Sequence, residues 1–201
     1  LVDNSVAGLC KYEMLLPDTR AACIHVRRLH RQGNMFAGIS TADWLRTVAE
    51  CRFVISFGIA GTIDRNELQV GDVFVPSHVI YYELSREQEG LPALRPEPFR
   101  CQRPELALTQ VRRDFATGDF TLSITGALAS GEKLVDKPDS ELVAQLRLIN
   151  QHLFAVEMEA GGVAAAAAHV APTAHFFAVK GISDNADGTK KTGPSGEQSK
   201  N

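Results

Sequence analysis

The sequence predicts an α/β fold: a mixed, mainly parallel central sheet flanked by helices. Two observations carry it. Runs such as residues 52–57 and 175–179 are rich in β-branched and aromatic residues and nearly all apolar, as strands covered on both faces are. Stretches with apolar residues three and four apart stand between them, so strands alternate with helices. The length, 201 residues, suits one domain with a sizeable core. That domain is expected over 1–187, with a polar tail at 188–201.

Taken in order, residues 1–22 are weakly patterned, with a turn signal at Pro17-Asp18. Residues 24–29 alternate apolar and basic side chains, as a strand with one wet face would. Gln32-Gly33-Asn34 breaks that pattern. Phe36, Ile39, Trp44, Leu45 and Val48 then predict a helix, with Trp44 as a core anchor. Residues 52–57 read as a buried strand running into a glycine loop at 58–62. A second β-rich run covers 73–82. The polar, proline-containing stretch 85–103 reads as a long surface loop. Pro104 opens a helix containing Leu106, Leu108 and Val111. Residues 120–128 form another strand candidate. Asp139 or Ser140 caps a helix through Ile149, whose buried face holds Leu142, Val143, Leu146 and Ile149. A helix over 158–170, rich in glycine and alanine, is expected to pack very close to the sheet. The strand at 175–179 leads to a second acidic cluster.

Composition removes several function classes. The net charge is −3, so no global basic field attracts nucleic acid. No apolar run approaches the ~20 residues that span a bilayer, and no signal peptide is visible at the start. Cys10, Cys23, Cys51 and Cys101 are scattered without a CxxC pair, which argues against structural zinc and a disulfide framework and for reduced thiols in a cytoplasmic protein. The glycine-bounded segment at 188–193 lacks the GK[ST] order of a phosphate-binding loop.

The chemistry concentrates in residues 155–187. Glu157, Met158 and Glu159 precede the small-residue helix; Ser183, Asp184 and Asp187 follow the strand. Residues just past the carboxyl ends of strands in an α/β sheet gather at one edge, where ligands bind. Paired carboxylates suit glycosidic cleavage, one assisting the leaving group and the other stabilising a positive sugar. The same residues could hold Mg²⁺, or simply complement a helix dipole and cap a turn.

The segments FGIAGTI (57–63), VGDVFV (70–75), SGEKLVD (130–136), AVEMEAGGVA (155–164) and VKGISDNAD (179–187) resemble the nucleoside phosphorylase and nucleosidase superfamily, in that family's order. The resemblance is nearest to its hydrolytic branch, the 5′-methylthioadenosine/S-adenosylhomocysteine nucleosidases. It implies the phosphorylase/nucleosidase fold and release of a free base from a purine nucleoside or related nucleotide. No metal and no cofactor is implied. A homodimer or larger homo-oligomer is, with no nucleic acid or membrane partner. Glu159 would bond the ribose hydroxyls, Met158 would pack on the ribose, and Asp184, oriented by Ser183, would protonate the purine at N7. Lys180, where many relatives carry arginine, would hold or tune Asp184. Leu134 and Val135 would contact the base; Ile59, Ala60 and Gly61 would line the sugar side; Glu157 would support them from behind.

Two departures bear on the reaction. Phosphorolytic relatives carry a phosphate-binding arginine where Ser56 stands, and a hydroxyl residue where Ile59 stands, so water is the expected nucleophile. The acidic residue that activates water in hydrolases follows an early strand; Glu13 is the candidate for it. Phosphorolysis, and a nucleoside-binding sensor without turnover, are the rival readings.

Overall fold

A computed structural model describes residues 9–15, 21–48, 50–88, 91–114, 121–133, 135 and 137–188. The chain divides into two compact units between Arg31 and Gln32. The first is a hairpin of β1 (Leu9–Leu15) and β2 (Ala21–Arg27), antiparallel with Leu9 opposite Arg27. β1 corrects the expectation of weak patterning. Its signal is the alternation of Cys10, Tyr12 and Met14 with Lys11 and Glu13.

The second unit runs α1 (Asn34–Leu45), β3 (Phe53–Thr62), β4 (Val73–Phe74), β5 (His78–Tyr81), β6 (Ser85–Gln88), β7 (Leu91–Leu94), β8 (Glu97–Arg100), α2 (Glu105–Asp114), β9 (Leu122–Ser123), β10 (Ala127–Ser130), α3 (Glu141–Ile149), β11 (Leu153–Glu157), α4 (Ala160–Val170) and β12 (His175–Asp184). Eight strands form one sheet in the order β8-β5-β10-β11-β3-β12-β4-β9. β5–β10, β10–β11, β3–β12 and β4–β9 pair in parallel; β5–β8, β11–β3 and β12–β4 are antiparallel. The mixed sheet of the predicted α/β class is therefore present, with β11, β3 and β12 adjacent at its middle.

Several boundaries differ from expectation. β3 runs straight through the glycine loop to Thr62, because its parallel ladder with β12 continues to the end of that segment. β3 is also not covered on both faces: Val54, Ser56 and Ala60 are buried, whereas Phe53, Ile55, Phe57 and Ile59 are half or more exposed. The proline-containing stretch forms the hairpin β6–β7 and the edge strand β8 instead of a loop. Pro98 sits on that edge strand, where a missing donor is tolerated. Trp44 is half-buried, so it does not anchor the core.

Helix α3 starts as predicted, with Ser140 Oγ accepting from Val143 N at 3.3 Å. It buries Val143 and Leu146 in a cluster with Ile63, Ile80, Leu153 and Val156, while Ile149 remains 47% exposed. Helix α4 buries Ala160–Val163, Ala164, Ala166 and Ala167. Its small side chains let α1 approach backbone to backbone. A Cβ on Gly38 would meet Gly162 O at 3.3 Å, and one on Gly162 would overlap the Asn34 carbonyl. Neither Asn34 nor its helix can withdraw without losing this contact. Gly162→Ala should therefore cost about 1–3 kcal/mol or more, the scale of overpacking a tight contact, seen as a lower urea midpoint. An unchanged midpoint would show that α1 is not seated on α4 through this glycine.

Candidate active site

The site is built around the first turn of α4. A helix N-terminus leaves N–H groups without partners inside the helix. Here Glu159 occupies the N-cap position but makes no side-chain cap bond. Glu157, two residues earlier at the end of β11, does that work: its carboxylate accepts from Glu159 N at 3.1 Å and from Ala160 N at 2.9 and 3.0 Å. Gly161 N donates to Ser130 Oγ at 2.8 Å, and Gly162 N to Asn34 Oδ1 at 2.7 Å. Ser130 Oγ in turn donates to Asn34 Oδ1 at 2.9 Å. The helix end is satisfied by three side chains from β11, β10 and α1. The Glu159 carboxylate is thus released from a capping role, and it accepts from Gly33 N at 3.3 Å.

Lys180 makes an ion pair with Glu157 at 2.9 Å, and both side chains are 2% exposed. Lys180 Nζ also donates to Ser56 Oγ at 3.1 Å. Its ion-pair partner, Glu157, is on the strand two places away across β3. Glu159 is half-buried, and its carboxyl is raised from the ordinary glutamate range. Burial is the largest cause and the Glu157 charge the next; the bond from Gly33 N and the Lys180 charge oppose them.

Asp184 lies at the end of β12, beyond a register shift between Ile182 and Asp184, and faces Gly61 of β3. A Cβ on Gly61 would stand 2.7 Å from Asp184 Oδ1, so only glycine admits the carboxylate there. Asp184 Oδ2 accepts from Ser183 Oγ at 2.8 Å, and Oδ1 from Ala186 N at 3.0 Å. Ala186 has φ 48 and is 3% exposed; a left-handed alanine costs about 1–2 kcal/mol and tightens the turn that orients Asp184. Asp187 points elsewhere, to Arg65 at 2.7 Å.

Gly61 is opposite Asp184 on one side and Val156 on the other. The two carboxylate-bearing strands therefore stand two strand spacings apart, roughly 9.5 Å. A narrow cavity is lined by Gly61 of β3, by Lys133 and Val135, and by Val156, Glu157 and Met158 at the end of β11. Val135, Met158, Gly61 and Glu157 thus line one cavity. Ser183 joins them through Asp184, and Ala60 is buried beside Gly61 with its carbonyl 3.5 Å from Ser183 Oγ. Ile59 does not: it belongs to the exposed row of β3, 54% exposed, because strand alternation turns it away from the buried row of Ser56 and Ala60. Leu134 lies outside the described residues. Glu13 is on β1 opposite Cys23, in the other compact unit, and its side chain lies outside the described part. A larger hollow of about 530 Å³, lined by Ser77, His78, Arg100 and Arg103 among others, sits where β5 begins, away from these carboxylates. Its Arg103 is held by Val75 O, Ile124 O and Glu105. Among the described residues no group of three or more His, Cys, Asp or Glu is placed to hold a metal ion. None of their helices is long and apolar enough to cross a membrane.

Sequence reasoning missed Ser130 and Asn34. Asn34 follows Gly33 at the start of a helix, which reads as a cap of its own helix; it caps α4, 128 residues away.

The chain belongs to the phosphorylase superfamily, whose family model matches residues 22–201. Among solved structures it is similar to a 5′-methylthioadenosine/S-adenosylhomocysteine nucleosidase from Colwellia psychrerythraea 34H in complex with adenine. That match has 25% identity, covers 91% of this chain and 73% of that one, and has a TM-score of 0.64. The corresponding nucleosidase from Neisseria meningitidis, in complex with methylthio-immucillin-A, is 24% identical over 92% and 76%, TM-score 0.64. Futalosine hydrolase of Helicobacter pylori strain 26695 is 17% identical over 93% and 76%, TM-score 0.64, a likeness of fold.

The raised Glu159 carboxyl has a stability consequence. A group raised on folding contributes stability that is present below its ordinary range and lost as pH climbs through its folded value. Glu159→Gln, which can still accept from Gly33 N, should therefore melt at or above the parent temperature at neutral pH. The difference should close as pH falls below the ordinary glutamate range. A variant that melts well below the parent at neutral pH would mark Glu159 as a structural residue.

Proposed function

We propose that this protein hydrolyses the N-glycosidic bond of a purine nucleoside or related nucleotide, releasing the free base. The observation that carries the proposal is the division of labour at the head of α4. Glu157, Ser130 and Asn34 satisfy the helix end, and Glu159 is left to bind something else. Asp184 stands two strands away across the bare Gly61. The spacing suits a ligand with a sugar at one end and a nitrogenous base at the other.

In this reading the ionised Glu159 accepts hydrogen bonds from the ribose hydroxyls and steadies the positive charge that develops on the sugar. Met158, lining the cavity, packs against the ribose face. Val135, with Leu134 beside it, holds the base. Asp184, oriented by Ser183, delivers a proton at N7, and the C1′–N9 electron pair leaves with the base. Water attacks C1′, and its proton passes to a base for which Glu13 is our assignment. Water is favoured over phosphate because the buried cation, Lys180, is already neutralised by Glu157, and Ser56 stands where phosphorolytic relatives carry arginine. The adenine carried by the similar Colwellia psychrerythraea nucleosidase supports a purine as the base. A cytoplasmic homo-oligomer serving purine salvage completes the proposal.

Base release should be measured over a panel of purine nucleosides and nucleotides, with and without phosphate. Release without phosphate is expected, with the second product a ribose that carries a free 1-hydroxyl and keeps the substrate's 5′ group. Strict phosphate dependence with ribose 1-phosphate as product would replace hydrolysis by phosphorolysis. Asp184→Asn should keep binding and lose about 100- to 10,000-fold in turnover, the scale of a lost general acid. Turnover within a few-fold of the parent would remove Asp184 from its role.

A further inference from the structure

A buried ammonium needs a reason to be there. Lys180 is 2% exposed, and taking a charge out of water is costly unless it is paired and hydrogen-bonded. Gly58 is opposite Lys180 in the β3–β12 ladder, and a Cβ there would stand 3.5 Å from Nζ. Ser56, two residues earlier on the same face, takes one of the ammonium's protons, and Glu157 takes another. Glu157 spends its carboxylate on the first two N–H groups of the α4 turn, one of which belongs to Glu159. Ser56, Lys180, Glu157 and Glu159 thus form one connected line across β3, β12 and β11 into the helix.

We propose that Lys180, held by Ser56, is a positioning residue. It keeps Glu157 as an ionised cap of α4, and so presents Glu159 to the sugar as a correctly oriented carboxylate. This rests on the reading of Glu159 as the ribose-binding group. Without Lys180, two carboxylates two residues apart would share a buried helix end with no counter-charge, and the pair would take up a proton. Among the described residues the charged groups acting on Glu159 are Glu157 from β11 and Lys180 from β12; Gly33, just before α1, contributes a neutral N–H and Met158 another. In its own turn Asp184 accepts from Ser183 Oγ and Ala186 N.

The test compares the parent with Lys180→Met, Lys180→Arg, Glu157→Gln and the double variant Lys180→Met/Glu157→Gln. Two readouts are taken: the pH profile of kcat/KM for base release, and the carboxyl ¹³C NMR titration of Glu159. Lys180→Met should move the acidic limb, and the proton uptake of the pair, upward by about 1–3 pH units, the usual effect of losing an opposite charge at this range. Glu157→Gln should move both downward. The double variant should return towards the parent, and Lys180→Arg should restore the limb. Affinity for free base, read by titration calorimetry, should stay near the parent value throughout. An unmoved limb and titration in Lys180→Met would overturn the inference. If Lys180→Met does not fold, an unmoved Glu157→Gln or a double variant no closer to the parent overturns it equally. A parent that releases no base from any nucleoside would sink the hydrolase reading instead, and the Glu159 titration would still decide the role of Lys180.

Discussion

Most of the site depends on how the N-terminus of α4 is satisfied. A helix that starts against a sheet edge carries N–H donors that must be paired or hydrated. The residue at the N-cap is the usual supplier, and a glutamate there would normally be read as structural. Here the donors go to Glu157, Ser130 and Asn34, one side chain from each of three separate elements. That arrangement orders α1, β10 and β11 about one point and leaves the Glu159 side chain free of a capping bond. It also has a cost: Asn34 Nδ2 is buried without a hydrogen-bond partner among the described residues. A buried junction that tolerates an unsatisfied amide is held by its other contacts, chiefly the close crossing of α1 over Gly162.

The two halves of the site answer to opposite electrostatic demands. On the α4 side, burial and a neighbouring carboxylate push Glu159 towards neutrality, and Lys180 and Gly33 N–H draw it back. On the β12 side, Asp184 is fixed by short bonds from Ser183 and Ala186 in a turn that forces a left-handed alanine. Strain of that kind persists where the surroundings hold it, here through the contact of Ala186 with the bare Gly61. Gly61 therefore admits the close approach of Asp184 on one side of β3 and pairs with Val156 of β11 on the other.

The exposed row Phe53, Ile55, Phe57 and Ile59 on a strand in the middle of the sheet has a bearing on how such sequences are read. A run that is apolar at every position predicts cover on both faces. β3 meets that prediction on the face that carries Ser56 and Ala60, and not on the other. Ile59 belongs to that exposed row: period-2 alternation turns it away from Ala60 and places it on the same face as Gly61.

The sequence by itself determined the α/β class, the strands and helices around residues 130–187, and the two acidic segments, because periodicity and turn chemistry are local. It also placed Glu159 and Asp184 at strand ends, through the VEMEA and ISDNAD segments. Tertiary structure alone decided the rest. Whether Glu159 caps its own helix depends on Ser130 and Asn34, which are 31 and 128 residues from the donors they accept. That Lys180 reaches Glu157 depends on which strands lie beside β12, and β3 intervenes with Gly58 opposite Lys180. Hydrogen bonds and ion pairs between distant segments leave no periodic trace in the chain. A carboxylate's job is set by which donors the fold has already brought to its neighbours.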